Sequence, residues 1–126
     1  MFGFFKKKKK DNSMDIKNSN LLFYEKGVID VTNFEAMSPE DSLGYMCGCI
    51  IIVSSDGTIR VCEYEDENVI METIVLKNVI RFCDNINNYD PSHLTEVSIM
   101  TEDHDFRLSF ESVQVKERFV DTLKKL

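Results

Sequence analysis

Residues 50–67 read Ile-Ile-Ile-Val-Ser-Ser-Asp-Gly-Thr-Ile-Arg-Val-Cys-Glu-Tyr-Glu-Asp-Glu. Two apolar runs rich in β-branched residues flank Ser55-Asp56-Gly57, and Asp-Gly supplies the positive φ angles that a tight hairpin turn requires. Val, Ile and Thr pack well on a pleated surface, so the stretch predicts strand, turn, strand. Along the second strand side chains alternate, which puts Ile59 and Val61 on one face, with Glu63 following them, and Arg60, Cys62 and Tyr64 on the other. The acidic run Glu63–Glu67, interrupted by Tyr64, reads as a solvated turn, with a second hairpin at Glu65–Asn68.

Outward from this hairpin the same grammar repeats. Strands are expected near Leu22–Glu25 running into Val28–Thr32, at Tyr45–Val53, Thr58–Tyr64, Val69–Leu76, Val79–Cys83, Glu96–Thr101 and Phe106–Phe110. A third hairpin is expected at Glu102–Asp105. In the last strand Phe106, Leu108 and Phe110 point in and Arg107 and Ser109 point out. The chain then turns helical. Ser112 is a fitting N-cap, and Val115, Phe119, Val120, Leu123 and Leu126 form one apolar stripe at helical spacing. Gln114, Lys116, Glu117, Arg118 and Asp121 fall off that stripe, while Lys124 and Lys125 sit where the helix dipole favours cations. A single helix with one apolar stripe needs a surface to cover. The sheet formed by the preceding strands is that surface, so the fold is mainly β, an antiparallel sheet or barrel closed by a C-terminal amphipathic helix.

The order and spacing of IIIVSSDGTIRVCEYEDE (50–67), IVLKNVIRF (74–82), VSIMTEDHDFRLSFES (97–112) and VKERFVDTLKKL (115–126) resemble a pleckstrin homology-like domain over about Glu25 to Leu126. The resemblance implies seven antiparallel strands in two nearly orthogonal sheets, with the helix plugging one open end. Such domains often carry a tryptophan on the core face of the helix. Here Phe119 takes the matching place, and the chain contains no tryptophan.

Charge divides the 126-residue chain into two parts. Its 22 acidic and 15 basic side chains give −7, but five of the cations are Lys6, Lys7, Lys8, Lys9 and Lys10. Residues 1–10 contain no acid, so the other 116 residues carry 10 basic and 22 acidic groups, a formal −12 against +5. Residues 1–20 read as a flexible aromatic and polylysine leader, and 21–126 as the domain. An acidic body argues against sequence-independent binding of nucleic acid, which draws its affinity from cations on phosphates, and no direct nucleic-acid contact is expected. The resemblance implies a phosphoinositide site only where lysines and arginines cluster on the first two strands and the loop between them. Val31–Val53, the corresponding segment, has Glu35, Glu40 and Asp41 and neither lysine nor arginine. Only Lys26 lies near its start, so the family's lipid site does not carry over.

The leader offers another route to a membrane. Phe2, Phe4 and Phe5 can enter the interface, and each lysine near anionic lipid contributes about 1 kcal/mol. Repulsion from the body is screened, because the ten residues Asp11–Asn20 extend to about 35 Å and the physiological Debye length is about 8 Å. Other readings stand beside this one: a solubilising start, a segment that folds back by charge on the acidic body, or a contact of the lysines with nucleic acid or another acidic partner. Myristoylation requires glycine where Phe2 stands, and the C-terminus has no prenylation cysteine. With no signal-like apolar stretch behind its lysines, the chain is expected to be cytoplasmic, with a peripheral position at the membrane through the leader.

Cys47 and Cys49 share one strand face, with Cys62 across the hairpin and Cys83 further on. Zinc knuckles place cysteines in turns, so these four read as buried free thiols and no metal or other cofactor is expected. His93 and His104 are the only near-neutral bases, neither lies in a nucleophile motif, and Glu102-Asp103-His104-Asp105 reads as a polar hairpin tip. The chain is not expected to be an enzyme. The reading is a non-enzymatic protein-interaction module, adaptor or regulator, whose acidic surface at Glu63, Glu65, Asp66 and Glu67 meets a partner with a basic patch. A peripheral lipid-binding domain is the alternative, and an acidic nucleic-acid-mimic inhibitor the second alternative.

Overall fold

The computed structural model describes residues 20–33, 44–84 and 94–126. The leader residues Phe2, Phe4, Phe5 and Lys6 to Lys10, the loop acids Glu35, Glu40 and Asp41, and His93 lie outside the described residues. Among the described residues seven strands precede one helix: β1 (Leu21–Asn33), β2 (Tyr45–Ser54), β3 (Thr58–Glu63), β4 (Asp66–Val75), β5 (Arg81–Asp84), β6 (Glu96–Met100), β7 (His104–Phe110) and α1 (Val113–Lys124), with a 3-10 turn at Leu76–Asn78 between β4 and β5. All neighbouring strands are antiparallel, in the spatial order β4-β3-β2-β1-β7-β6-β5.

The expected antiparallel strands and C-terminal helix are present, and the strands form one continuous sheet whose two halves are joined through β1. The strand expected at Leu22–Glu25 running into Val28–Thr32 is continuous over 13 residues. It pairs with β2 from Leu21 opposite Ser54 to Val31 opposite Tyr45, with a register shift between Leu21 and Phe23. From Gly27 onward it pairs with β7 as well, Gly27 opposite Phe110 and Asn33 opposite His104. Gly27 is needed at this branch point. A Cβ there would sit 2.5 Å from the Ser109 carbonyl oxygen and 2.9 Å from Ile51 Cδ1, closer than heavy atoms tolerate.

The deciding hairpin turns as expected. Gly57 has φ 86°, and the Asp56 carboxylate accepts from the Thr58 amide (3.1 Å) and hydroxyl (2.7 Å). The second hairpin is tighter than expected. β4 begins at Asp66, with only Tyr64 and Glu65 as the turn after β3 ends at Glu63, because the surplus residues are absorbed as register shifts opposite Cys62–Glu63 and Val61–Cys62. Before β5, Ile80 lies outside the strand, although its amide donates to the Met100 carbonyl oxygen at 2.8 Å.

The core lies between the sheet and α1. Phe23 of β1, Phe110 of β7 and Phe119 of α1 meet with ring centroids 5.9, 5.4 and 4.8 Å apart, at spacings where aromatic pairs attract. Around them pack Ile29, Ile51, Val53, Ile59, Val97 and Leu108. Ser112 caps the helix, its hydroxyl accepting from the Val115 amide at 3.2 Å. Phe119 and Val120 are buried and Val115 and Leu123 half-buried, but Leu126 is exposed because the helix ends at Lys124 and the stripe no longer faces the sheet. Lys116, expected off the stripe and in solvent, is buried: its ammonium pairs with Asp84 at the end of β5. No helix among the described residues is long and apolar enough to cross a membrane.

Candidate functional site

Inner and outer faces of β1–β4 are distinguished by register. Phe23, Ile29, Cys49, Ile51, Ile59 and Val61 belong to the core cluster. The alternate residues point the other way. Adjacent columns on that outer face hold Tyr24, Ile52, Arg60 and Thr73, then Lys26, Ile50, Cys62 and Ile70. A sheet face turned away from its own core is ordinarily polar, yet here Ile50 and Cys62 are only 4% and 1% exposed without belonging to the core cluster.

Two side-chain crossings lie over them. Tyr24 Oη donates to Glu67 Oε1 at 2.7 Å, linking β1 to the bulged start of β4 across two intervening strands. Lys26 Nζ stands 4.8 Å from the centroid of the Tyr64 ring, reaching over β2 to the β3–β4 turn. Gly48 leaves room beneath Tyr64, whose ring would lie 3.7 Å from any Cβ at that position. Burial, followed by the bond to Glu67, pushes the Tyr24 hydroxyl up to about 12. Arg60 is held flat on the same face by Ser54 Oγ at 3.0 Å and Asp56 Oδ2 at 3.4 Å.

Around this dry floor the surface is apolar and exposed: Tyr24, Val28, Tyr64 and Ile70 all present substantial area, and Met46 more. The acidic turn lies against it. Glu63, Glu65, Asp66 and Glu67 are all exposed. Glu65, Asp66 and Glu67 stand at one end of the face, with Glu67 bonded to Tyr24 and Asp66 Oδ1 accepting from the Asn68 amide at 3.0 Å, whereas Glu63, opposite Cys49, belongs by register to the inner side. Sequence reasoning found the acids and missed the apolar floor beside them. Its signal was the triplet Ile50-Ile51-Ile52, which marks a strand covered on both sides.

The remaining candidates are dispersed. Cys47 and Cys49 share the inner face as expected, and Cys62 is on the outer one. Cys49 and Cys62 are buried and their thiols pushed up to about 12 and about 11, mainly by burial. Cys47 and Cys83, expected to be buried, are only half-buried; Cys47 lies toward the open end of the core, its sulfur 3.9 Å from that of Met71. His104 Nδ1 is 2.9 Å from Asp103 Oδ1 at the β6–β7 turn, and its ring stacks on Phe106. Among the described residues no three His, Cys, Asp or Glu side chains converge on a position for a metal ion.

No protein-family profile matches the chain, and no characterised protein matches it by sequence. Solved structures do match. The exchange factor Vav1 with an allosteric inhibitor superposes with TM-score 0.61 at 9% identity, over 84% of this chain and 26% of that one. A Vav1 structure described for its PH and C1 domains gives TM-score 0.60 at 9% identity, over 92% and 28%. The Ran-binding domain of Nup2 from Ashbya gossypii gives TM-score 0.52 at 13% identity, over 86% and 94%. The fold is pleckstrin homology-like. The chain thus spans about a quarter of the Vav1 chains and nearly the whole Ran-binding domain. Within this PH-like fold, neither lysine nor arginine stands among the described residues of the segment between Val31 and Val53.

Proposed function

We propose that this PH-like chain is a non-enzymatic protein-interaction module that docks a partner on the outer face of β1–β4. The observation that carries this reading is the apolar floor of Ile50 and Cys62, ringed by exposed Tyr24, Tyr64 and Ile70 and bordered by the acidic turn. Interfaces concentrate aromatic anchors around a desolvated centre and keep charge at the rim. An acidic rim selects a partner with basic side chains and speeds its approach. The fold neighbours include an exchange factor and a Ran-binding domain, a company consistent with a binding role.

In the same reading the leader is a second contact, its phenylalanines and lysines holding the protein reversibly at an anionic membrane from the cytoplasmic side. Without a cation cluster near β1 and β2, the body adds nothing to that contact.

Capture from native lysate with the full chain, compared with Tyr64→Ala/Ile70→Ser and with Glu65→Lys/Asp66→Lys, tests the docking face. Proteins retained by the wild type are expected to be lost by both variants. Equal retention by both variants would exclude this face. Sedimentation with anionic liposomes tests the leader: the full chain is expected in the pellet, and replacement of Lys6–Lys10 by serine is expected to leave the protein in the supernatant.

A further inference from the structure

The docking face has a candidate occupant within the chain itself. We infer that the leader segment Phe2–Lys10 seats in cis on the outer face of β1–β4, its lysines on the acidic turn and its phenylalanines against Tyr64 and Ile70. The inference rests on the docking face proposed above and supplies the chemistry of what that face accepts: an aromatic segment followed by consecutive cations.

Three observations carry it. The first is complementarity: a +5 segment with three aromatic rings and a −12 body belong to the same molecule, and the body has exposed Glu65, Asp66 and Glu67 in the turn next to its exposed rings. The second is where the leader departs. Asn20 is fixed beside the β2–β3 turn by its own amide, which donates to Ser55 Oγ at 2.7 Å, and by the Ser55 amide, which donates to its carbonyl at 2.8 Å. The third is reach. Leu21 stands level with Ser54, and Gly27 stands level with Cys49 and Glu63, so the acidic turn lies about 20 Å along the sheet from that anchor. Residues 11–19 can span about 30 Å. A leader that folds back along the outer face therefore brings Lys10 to the acidic turn at Glu65–Glu67 with slack, and the remaining residues return the phenylalanines onto the rings beside it. Tethering at this range gives an effective concentration on the order of millimolar, so weak individual contacts suffice. While seated, the lysines are withheld from lipid and the face from a partner.

Amide chemical shifts of the full chain test the seat. Wild type is compared at low and high ionic strength with a variant carrying serine at positions 6 to 10, and with Glu65→Gln/Asp66→Asn, whose side chains are exposed and leave the fold intact. At low salt the wild type is expected to differ from both variants at Lys26, Gly48, Tyr64 and Ile70. High salt is expected to move it onto the serine variant, and the differences are expected to be independent of protein concentration. Identical spectra at low salt, or differences confined to another surface, would overturn the seat. Differences that grow with concentration would also overturn it, because the leader then occupies a second copy. The serine variant separates this inference from the docking face itself. Capture of a partner by that variant keeps the face when the seat fails, and shifts without capture keep the seat when the external partner fails.

Discussion

Lys116 Nζ of the helix lies 2.5 Å from Asp84 Oδ1 at the end of β5, with the lysine 1% exposed and the aspartate side chain 24% exposed. The pair joins the helix to an edge strand of the sheet, and its burial is unequal. Removing the aspartate leaves an ammonium with little access to water, whereas removing the lysine leaves a carboxylate that can rehydrate. Asp84→Ala is expected to cost about 3 kcal/mol, near the lower bound for breaking a buried pair. Lys116→Met, which keeps the packed stem, is expected to cost about 1 kcal/mol, nearer the value of an exposed pair. Urea unfolding of both variants checks the order, and a Lys116→Met change costing more than Asp84→Ala contradicts the argument.

Phe119 holds the helix to both halves of the sheet through Phe23 and Phe110. Phe119→Ala is expected to cost about 3–5 kcal/mol as a core truncation, and Phe119→Leu about half of that. The denaturation midpoints should fall in that order.

Four groups hold their protons more tightly in the folded chain than in the unfolded one: Cys49 rises from 9.0 to about 12, Cys62 from 9.0 to about 11 and Tyr24 from 10.0 to about 12, and Tyr45 is raised further by burial and its bond to Glu72. A raised folded value makes the contribution complete below the unfolded pKa and removes it as pH climbs through the folded one. Stability is therefore expected to be insensitive to these groups near neutral pH and to decline between about pH 9 and about pH 12. At pH 8 a thiol reagent should label Cys47 and Cys83 first, since Cys49 and Cys62 are both buried and protonated. Equal labelling rates for all four would contradict the placement.

The glycines at 27 and 57 should respond differently to alanine. At Gly57 the strain is only that of positive φ, and nothing lies within 4 Å of the added methyl. A cost of about 1 kcal/mol is expected. At Gly27 the methyl collides with the β7 backbone at Ser109 and with Ile51, and the loss should exceed the roughly 1–3 kcal/mol of ordinary overpacking. Amide exchange would show the damage in the β1–β7 ladder at Gly27–Ile29, well before the β2–β3 hairpin.

Much of this arrangement is legible in the residues. Asp56-Gly57 fixes the hairpin, the alternation Phe106-Arg107-Leu108-Ser109-Phe110 fixes which side of β7 is buried, and Ser112 with Phe119 fixes the helix and its buried face. What stays hidden depends on contacts between distant residues. Lys116 reads as a surface cation because its partner is 32 residues away. Tyr24 and Lys26 read as ordinary solvent-facing strand residues, because only the folded register sets them over Ile50 and Cys62. The β4 boundary shifts for a related reason: Asp66-Glu67-Asn68 has poor strand propensity, and pairing with β3 through bulges overrides it. The acids of the candidate site are visible in sequence, and the floor that gives them a setting is not.

The double engagement of β1 also bears on how the chain is made. Residues joined early to β2 must wait for β7, about 80 positions later, to complete their other ladder, and such distant pairings are slow to close. On the ribosome the first four strands would emerge with Ile29 and Val31 facing no partner strand on that side and Phe23 lacking both Phe110 and Phe119. Translation has to deliver the last strand and the helix before the first strand is finished, so the nascent half-domain is a species that needs protection from aggregation.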